Sequence, residues 1–522
     1  MEDISRKTEH WGSRFGFLMA AVGSSVGLGN FWRFPYTAGE NGGGAFILIY
    51  LLCVILVGLP LLMAEYSLGR KSGMSAIEGI QSVARAEGKS QNWGIVGWVG
   101  SLTAFFILTF YMVISVWLLA YLFQAIGGVF SGIAPDAAVL QDNIGQPFAN
   151  VASQLSTLPA DAVCGFIQDG TIVRLPNAEG ELRDLVAGDV SGCIFEATVG
   201  QGTDPLKSRW FIIGLLALFI AANVLVVGRG IKGGIERAAS ILMPAFFVML
   251  IVVLVFSISN GDAGRTFSFI FSPKWEDVGF GTFLSALGQA FFSIGVGVGL
   301  MITYGAYLSS DTNIPRSSAL VVGTDTFVAL IAGFAIFPIV FSAGLDPASG
   351  PSLFFISMPV AFGGIEGGMI FATVFFALAL FAAFTSSISL LEVGVSWFEE
   401  RHGVTRMGAA TGIGFVLFMI GAAYAFSLEY LDFMDFMTEG LLLPLGGFLM
   451  AVFAGWVISS QMVVSELGDG QVMRIWRFLI RWFVPIFVGF VLVFGFLDKI
   501  QGLYNIQLPG FLIPLLGPNN PI

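Results

Sequence analysis

Long apolar stretches recur along the whole chain and limit what it can fold into. The 522-residue sequence is 56% hydrophobic and only 11% charged, whereas a soluble domain averages about 25% charged residues. A helix needs about 20 predominantly apolar residues to cross a bilayer. The stretches predict an all-α integral membrane protein of about 11 transmembrane helices, at residues 15–36, 42–68, 94–126, 210–228, 238–258, 279–308, 317–343, 366–398, 408–426, 431–460 and 478–498.

The first apolar stretch is interrupted by small and polar residues where a helix would be expected to run unbroken. Its middle reads Gly23-Ser-Ser-Val-Gly-Leu-Gly-Asn-Phe-Trp-Arg-Phe-Pro35. Each glycine costs a helix about 1 kcal/mol relative to alanine, and Asn30 and Arg33 are costly inside a membrane. Unwound backbone at this depth is tolerated only where it is buried in protein or lines a cavity. We therefore predict an unwound helix 1 beside a binding site; the alternative is a tight helix–helix contact through small residues.

The sixth stretch carries a second glycine cluster, from Gly288 to Gly299. Stretches one and six are five apart, as expected if helices 1–5 (about 15–258) and helices 6–10 (about 279–460) are inverted repeats, with helix 11 at about 478–498. Paired glycine-interrupted segments in two halves point to the central site of a transporter. The sequence therefore predicts one transporter domain over residues 1–500 with a 5+5 inverted repeat and unwound helices 1 and 6. The alternative is two unrelated glycine-rich packing faces.

The distribution of basic residues predicts the orientation in the membrane. Arg and Lys concentrate at the N-terminus and in alternate loops, and such loops lie in the cytoplasm. We expect an integral plasma (inner) membrane protein with a cytoplasmic N-terminus, an external loop at residues 127–208 and an external C-terminal tail at 501–522. The net charge of −11 disfavours nucleic acid as a partner.

Cysteine and histidine usage gives little sign of catalytic chemistry. Cys53 lies in an apolar stretch and is predicted to be a buried thiol, whereas Cys164 and Cys193 lie in the external loop, where the compartment permits a disulfide. The only two histidines are His10 and His402, and the sequence has no metal-ligand spacing, nucleophile motif or phosphate-binding loop. We expect no enzyme activity and no organic cofactor.

Seven ordered motifs carry a family resemblance that covers the chain from residue 11 to about 498. The sequence resembles the neurotransmitter:sodium symporters, specifically their bacterial amino-acid transporters. The motifs are Trp11-Gly-Ser-Arg14, Gly27-Leu-Gly-Asn-Phe-Trp-Arg-Phe-Pro35, Glu40-Asn-Gly-Gly-Gly-Ala-Phe46, Gly58-Leu-Pro60 with Glu65, Gln289 to Tyr304, Thr385-Ser-Ser387 and Leu431-Asp-Phe-Met-Asp435.

The resemblance implies two sodium sites built from oxygen ligands, which hard cations prefer. The first would use Ser25, Asn30, Ser293 and Asp325. Many relatives carry Asn where this chain has Asp325, whose charge could replace the chloride that animal relatives bind. We therefore expect chloride independence, although Asp325 could instead be a carboxylate hydrogen-bonded in a polar core.

The second sodium site would use Gly23, Val26, Ala382, Thr385 and Ser386. The hydroxyl groups of adjacent Thr and Ser residues can alternatively bond back to their own helix.

The resemblance also implies a substrate pocket without charged side chains. Gly27 stands where monoamine-transporting relatives carry Asp, so the ligand should bring its own carboxylate, and an α-amino acid is favoured. Gly295 and Val298 leave room for a large apolar or aromatic side chain, unless packing closes the space. The predicted pocket residues are Ser24, Ser25, Leu28, Gly29, Ile107, Tyr111, Phe292, Ser293, Gly295, Val298, Ser386 and Leu390.

Two gates follow from the same resemblance. Arg33 and Asp435 would pair on the external side above a lid of Tyr111 and Phe292, which could otherwise be ordinary core aromatics. On the cytoplasmic side the pattern matches poorly, and Arg6 with Glu400 is the nearest pair.

These features together predict a sodium-coupled symporter that imports a neutral hydrophobic or aromatic L-amino acid by alternating access. Transport of another neutral solute, such as a γ-amino acid or a betaine-like compound, is the alternative within the family. An amino-acid-binding membrane sensor or channel is the alternative outside it. The sequence leaves the exact substrate and the oligomeric state open.

Overall fold

Helices make up nearly all of the described chain. The computed structural model describes residues 9–131, 205–350 and 352–504, together with 167–168, 171–172, 191–192, 194–196 and 198–199. The helices, in chain order, are α1 (Arg14–Ser25), α2 (Gly29–Glu40), α3 (Gly44–Ser72), α4 (Ala76–Ala86), α5 (Gln91–Ile126), α6 (Pro205–Val227), α7 (Ile231–Asn260), α8 (Ala263–Phe271), α9 (Phe280–Ile294), α10 (Leu300–Ala306), α11 (Ile314–Ser342), α12 (Leu353–Gly363), α13 (Gly368–His402), α14 (Arg406–Tyr424), α15 (Leu428–Val457), α16 (Ser460–Leu467) and α17 (Gln471–Phe494, continuing to Tyr504).

The predicted apolar stretches correspond to these helices in order. Within the described residues, nine helices are long and apolar enough to cross a membrane, and α1 with α2 forms a tenth span bent by 45°. The stretch at 279–308 is divided between α9 and α10, which are individually too short to span. Unwound helices 1 and 6 are thus confirmed, while the count of eleven stays a prediction.

The central helices pack against one another and leave apolar outer faces. Helix α5 packs along α13, α7 along α11, and α6 along α14. Helix α3 contacts both halves of the divided sixth stretch, α9 and α10. Large apolar side chains such as Ile251, Ile370, Phe415 and Ile486 are exposed on the outer helices, as expected for surfaces that face lipid.

One glycine shows how closely α3 approaches the sixth stretch. A Cβ atom at Gly69 would lie 2.0 Å from the carbonyl oxygen of Ile302 in α10. No larger residue fits there without moving one backbone, so the small side chain sets the distance between α3 and α10.

Several predictions concern residues outside the described part of the chain. These are the Cys164–Cys193 disulfide, the position of Arg6, most of the external loop and the tail beyond residue 504. Within the loop the structure describes one antiparallel strand pair, β1 (Ile167–Gln168) and β2 (Thr171–Ile172). Cys53 is a free, buried thiol.

Candidate functional site

The first break lies between α1 and α2. Helix α1 ends at Ser25, and Val26 has extended backbone angles (φ −73°, ψ 98°). The next helix begins at Gly29 with a π-helical turn. The last carbonyl groups of α1 therefore lack hydrogen-bond donors within the helix, and their oxygens are available to a ligand. A continuous helix packed through small residues, the alternative considered from sequence, does not form here.

The second break depends on three glycines with positive φ. Gly295, Gly297 and Gly299 have φ of +72°, +84° and +71°. Residues with a Cβ atom rarely adopt this left-handed backbone conformation. The N–H of Gly297 donates to Oε1 of Glu65 in α3 at 2.6 Å. Glu65 is fully buried, so its carboxylate satisfies unwound backbone inside the protein.

The two breaks contact each other directly. The Ser25 hydroxyl donates to the carbonyl oxygen of Ile294 at 3.2 Å. The Gln289 side chain of α9 donates to the carbonyl oxygen of Gly29 at 2.8 Å. The two glycine clusters are therefore not unrelated packing faces, since they form one site between α1, α2, α9 and α10.

A buried polar cluster beside the breaks contains three of the side chains predicted for the first sodium site. Nδ2 of Asn30 donates to Oδ1 of Asp325 at 2.9 Å and to the Asp325 carbonyl oxygen at 3.0 Å. The Ser293 hydroxyl donates to Oδ2 of Asp325 at 2.8 Å and accepts from Asn30 at 3.1 Å. The fourth predicted ligand, Ser25, lies in the last turn of α1, so its carbonyl group lacks a partner within that helix. Carboxylate, hydroxyl, amide and carbonyl oxygens together suit a hard cation.

The residues predicted for the second sodium site lie where α1 meets α13. The Ser386 hydroxyl donates across to the carbonyl oxygen of Gly23 at 3.3 Å. The Thr385 hydroxyl bonds back within α13, to the carbonyl oxygens of Ala382 at 3.0 Å and Phe381 at 3.1 Å. Both the inter-helix arrangement and the back-bonding alternative are therefore present, one at each hydroxyl. The role of this group, including Val26 at the break, stays a prediction.

A cavity of about 50 Å³ lies between the breaks, α5 and α13. Eleven of the twelve predicted pocket residues line it; the twelfth, Ser293, belongs to the buried cluster with Asp325. Gly27, which the sequence analysis used to infer the substrate class, also lines it, and sequence reasoning missed three lining residues, Phe291, Leu300 and Leu443. The lining residues are Ser24, Ser25, Gly27, Leu28, Gly29, Ile107, Tyr111, Phe291, Phe292, Gly295, Val298, Leu300, Ser386, Leu390 and Leu443.

The polar groups of this cavity come from backbone and hydroxyls. The Tyr111 hydroxyl accepts from the N–H of Leu28 at 3.4 Å, near the outer limit for a hydrogen bond. Among the residues that the structure describes, none with a charged side chain lines the cavity. The site can therefore bind a neutral or zwitterionic molecule. The helix termini and the nearby Asn30–Ser293–Asp325 cluster can stabilise the charges of a zwitterion.

Phe292 separates this cavity from a larger one of about 280 Å³. The larger cavity is lined by both Arg33 and Asp435, the residues predicted for the external gate. The Arg33 guanidinium lies 5.0 Å from the centre of the Phe292 ring, within cation–π range. Phe292 therefore lines two cavities and is not only a core aromatic, whereas its role as a gate stays a prediction.

At the opposite end, an ion network joins the N-terminal segment to α13 and α14. Arg406 contacts Glu392, which is fully buried, and Glu399 at 2.9 Å. Arg406 also lies 3.7 Å from Glu9, and the Tyr307 hydroxyl donates to Glu392 at 2.8 Å. Sequence reasoning missed this network, although a carboxylate within an apolar stretch, as at Glu392, was the signal used for Asp325.

Glu236 fixes the start of α1. It accepts from the Gly12 N–H at 2.6 Å and from the Ser13 hydroxyl at 2.9 Å. Nearby, Arg14 pairs with the exposed Asp311. A hydrogen bond from Ser309 and the Arg14 guanidinium hold the pKa of Asp311 below its usual value.

The predicted internal gate is only partly described. Glu400 accepts from the N–H of Ser75, at the start of α4, at 2.9 and 3.0 Å. Because Arg6 lies outside the described residues, its pairing with Glu400 stays a prediction.

Comparison with known proteins agrees with this architecture. The model of the sodium:neurotransmitter symporter family matches residues 8–143 and 203–515. An uncharacterized sodium-dependent transporter of Bacillus subtilis, YhdH, is 32% identical, and the match covers 94% of this chain and 99% of that protein. The sodium-dependent nutrient amino acid transporter 1 of Drosophila ananassae is 26% identical over 95% of this chain and 80% of its own length.

A solved structure shares the fold. The crystal structure of MhsT in complex with L-phenylalanine matches with a TM-score of 0.75 and 34% identity, covering 94% of this chain and 99% of that chain. The fold and the sodium-dependent character predicted from sequence are thus confirmed. The chain belongs to the sodium:neurotransmitter symporter family, and is a multi-pass, sodium-dependent membrane transporter rather than an enzyme.

Proposed function

We propose that this protein imports a neutral apolar or aromatic L-amino acid together with sodium, and does not require chloride. The observation that carries the proposal is a cavity without charged side chains placed between two helix breaks. That cavity lies beside the buried Asn30–Ser293–Asp325 cluster. The charged groups of the complex must therefore come from the ligand, and the helix breaks and the polar cluster can bind them.

The first break is suited to the α-carboxylate of an amino acid. A Cβ at Gly27 would lie 2.6 Å from Oγ of Ser386 and 3.0 Å from the Tyr111 hydroxyl oxygen. The absence of a side chain leaves the backbone and the Tyr111 hydroxyl open to the ligand. The start of α2 presents N–H groups and the positive end of a helix dipole to an anion.

Much of the cavity lining is aliphatic and is suited to an apolar side chain. It includes Ile107, Val298, Leu300, Leu390 and Leu443. Burying apolar area stabilises a complex by about 25 cal/mol per Å². The complex of MhsT with L-phenylalanine supports this class of substrate, as does the name of the Drosophila nutrient amino acid transporter.

Asp325 supports both sodium coupling and chloride independence. Its two carboxylate oxygens face Asn30 and Ser293 from inside the protein. A fixed negative charge beside the cation supplies the role that a bound chloride would otherwise have. Ligation of sodium by the Asn30 oxygen requires rotation of its amide, since Nδ2 faces Asp325 and Oδ1 accepts from Gly27 at 3.0 Å.

Ligand-induced thermal stabilisation of the purified protein tests this proposal. A ligand that binds only the folded state raises its stability in proportion to ln(1 + [L]/Kd). Each of the twenty amino acids would be tested in sodium chloride, sodium gluconate and potassium chloride. We expect stabilisation by Phe, Trp, Tyr or Leu in both sodium salts and none in potassium.

Other results would overturn parts of the proposal. Stabilisation only in sodium chloride would contradict chloride independence. Stabilisation by γ-aminobutyrate or betaine, but by no α-amino acid, would replace the substrate class. Sodium-dependent binding without uptake into vesicles would indicate a sensor.

A further inference from the structure

A third cavity, of about 350 Å³, lies on the outer side of α5, α13 and α14. Its mouth is bordered by Trp98, Leu102 and Val416, which are 38%, 43% and 45% exposed. These residues belong to membrane-spanning helices. The cavity therefore opens towards the region that the bilayer occupies, and it is distinct from the substrate cavity.

Two polar atoms in this otherwise apolar cavity lack hydrogen-bond partners within the described part of the chain. Nε1 of Trp397 and Oγ of Ser101 are buried and make no hydrogen bond, although both residues line the cavity. A buried donor without a partner costs about 1–3 kcal/mol. A ligand that supplies one hydrogen-bond acceptor at this position would remove that cost.

The two polar residues lie within about one helical turn of each other in depth, because the Trp397 ring contacts that of Trp98, which precedes Ser101 by three residues. The apolar end of the cavity lies deeper. Trp397 is five residues from the end of α13, and Ser101 is ten from the start of α5. Leu108 and Leu390, which also line the cavity, are each seven residues further along their helices, or about 10 Å deeper. The cavity thus runs from near the membrane interface, where Trp is enriched, towards the middle of the bilayer.

A basic side chain lies beyond the polar level. Arg401 follows Trp397 by four residues, so the two share one face of α13. Its side chain is 62% exposed, and its contact with Glu78 is long, at 3.8 Å. The Arg401 guanidinium therefore retains donors for a phosphate group.

We propose that this cavity binds one acyl chain of a bilayer phospholipid. The ester carbonyl accepts from Trp397 and Ser101, the phosphate meets Arg401, and the chain extends to Leu390. Because Leu390 also lines the substrate cavity, the lipid supports one wall of that cavity. The proposal depends on the membrane fold and not on the identity of the substrate.

Photocrosslinking in bicelles tests where the lipid binds. The probe is a phosphatidylglycerol with a diazirine in the middle of one acyl chain, and labelled peptides are mapped by mass spectrometry. Gly412 lines the cavity, and a Cβ there meets nothing within 4 Å, so Gly412→Leu fills the cavity without a backbone clash. Gly214, on α6, is equally open and does not line the cavity, so Gly214→Leu is the matched control.

We expect labelling of α5 and α14 to fall several-fold in Gly412→Leu and to stay unchanged in Gly214→Leu. No labelling of these helices in the wild type, or equal labelling in both variants, would overturn the proposal. Loss of labelling in the presence of excess free fatty acid, but not of excess phospholipid, would assign the cavity to a fatty acid and overturn the phospholipid assignment.

A second experiment tests the ester carbonyl. Trp397→Phe keeps an aromatic ring and removes the N–H donor. We expect the wild type to be labelled more strongly by the ester-linked probe than by its ether-linked analogue, and Trp397→Phe to lose that preference. An equal response of the wild type to both probes would contradict the proposed hydrogen bonds.

Discussion

Asp325 is the residue whose chemistry most affects the proposed ion coupling. It is fully buried and its two carboxylate oxygens each accept a hydrogen bond, from Asn30 and Ser293. A buried carboxylate is stable only with such partners or with a cation. Under our proposal, the charge of Asp325 takes the place of an added anion such as chloride.

Replacing Asp325 by Asn tests this directly. Asp325→Asn keeps the size and removes the charge, so the sodium concentration for half-maximal uptake should rise at least about tenfold, equivalent to about 1.4 kcal/mol. Chloride should then stimulate uptake. Uptake would be measured against sodium in chloride and gluconate, with Asp346→Asn, an exposed loop residue, as the control. Unchanged ion dependence of Asp325→Asn would remove our account of this residue.

Gly27 provides a second test at the same scale. In Gly27→Ala the new methyl group would lie 3.0 Å from the Tyr111 oxygen and 2.6 Å from Oγ of Ser386, so it would occupy the proposed carboxylate position. We expect the Kd of the amino-acid substrate, measured by calorimetry in sodium, to increase at least about tenfold. Gly323→Ala, at an open position of α11, should bind as the wild type does. Equal affinities for all three proteins would place the carboxylate elsewhere.

At the scale of elements, the paired helix breaks are the feature that sequence predicted best. Glycines weaken a helix, and a cluster of them within an apolar stretch therefore favours unwound backbone, which needs a buried partner or a cavity at membrane depth. What sequence did not predict is which groups satisfy the unwound backbone. Gln289 and Glu65 do so across 260 and 232 residues of chain, and no local pattern encodes such contacts.

Sequence also did not predict which apolar residues line the substrate cavity or which charged residues form ion pairs. Leu300 and Leu443 line the substrate cavity, but a leucine in an apolar stretch carries no signal that distinguishes it from its neighbours. The partnership of Arg406 with Glu392 was likewise missed, because it depends on how α14 returns along α13. The position of a residue along a membrane-spanning helix can be predicted from sequence. The neighbour that the residue faces depends on how the helix is rotated about its axis, which packing determines.

The contact between α3 and the second break yields a stability prediction. Glu65→Leu leaves the Gly297 N–H buried without an acceptor and should reduce the free energy of unfolding by about 1–3 kcal/mol. Glu65→Gln retains an acceptor oxygen and should cost less. Thermal unfolding in detergent would measure both variants. A Glu65→Leu protein as stable as the wild type would show that this hydrogen bond does not hold the break.

At the scale of the whole molecule, the proposed site lies between a larger cavity on one side and an ion network on the other. Phe292 borders the larger cavity, and Arg406 with Glu392 joins the segments at the opposite end. A transporter must open these two sides in turn. If two sodium ions accompany one zwitterion, a potential of about 100 mV contributes about 4.6 kcal/mol, and a tenfold sodium gradient adds about 1.4 kcal/mol per ion.

Uptake into proteoliposomes tests the central claim, that sodium binding at the helix breaks drives amino-acid transport. Labelled L-phenylalanine would be offered under an inward sodium gradient, with potassium in place of sodium and the Asn30→Ala variant as controls. We expect accumulation above the external concentration in sodium, unaffected by replacing chloride with gluconate, and none in either control. Accumulation without sodium, or normal accumulation by Asn30→Ala, would contradict the account.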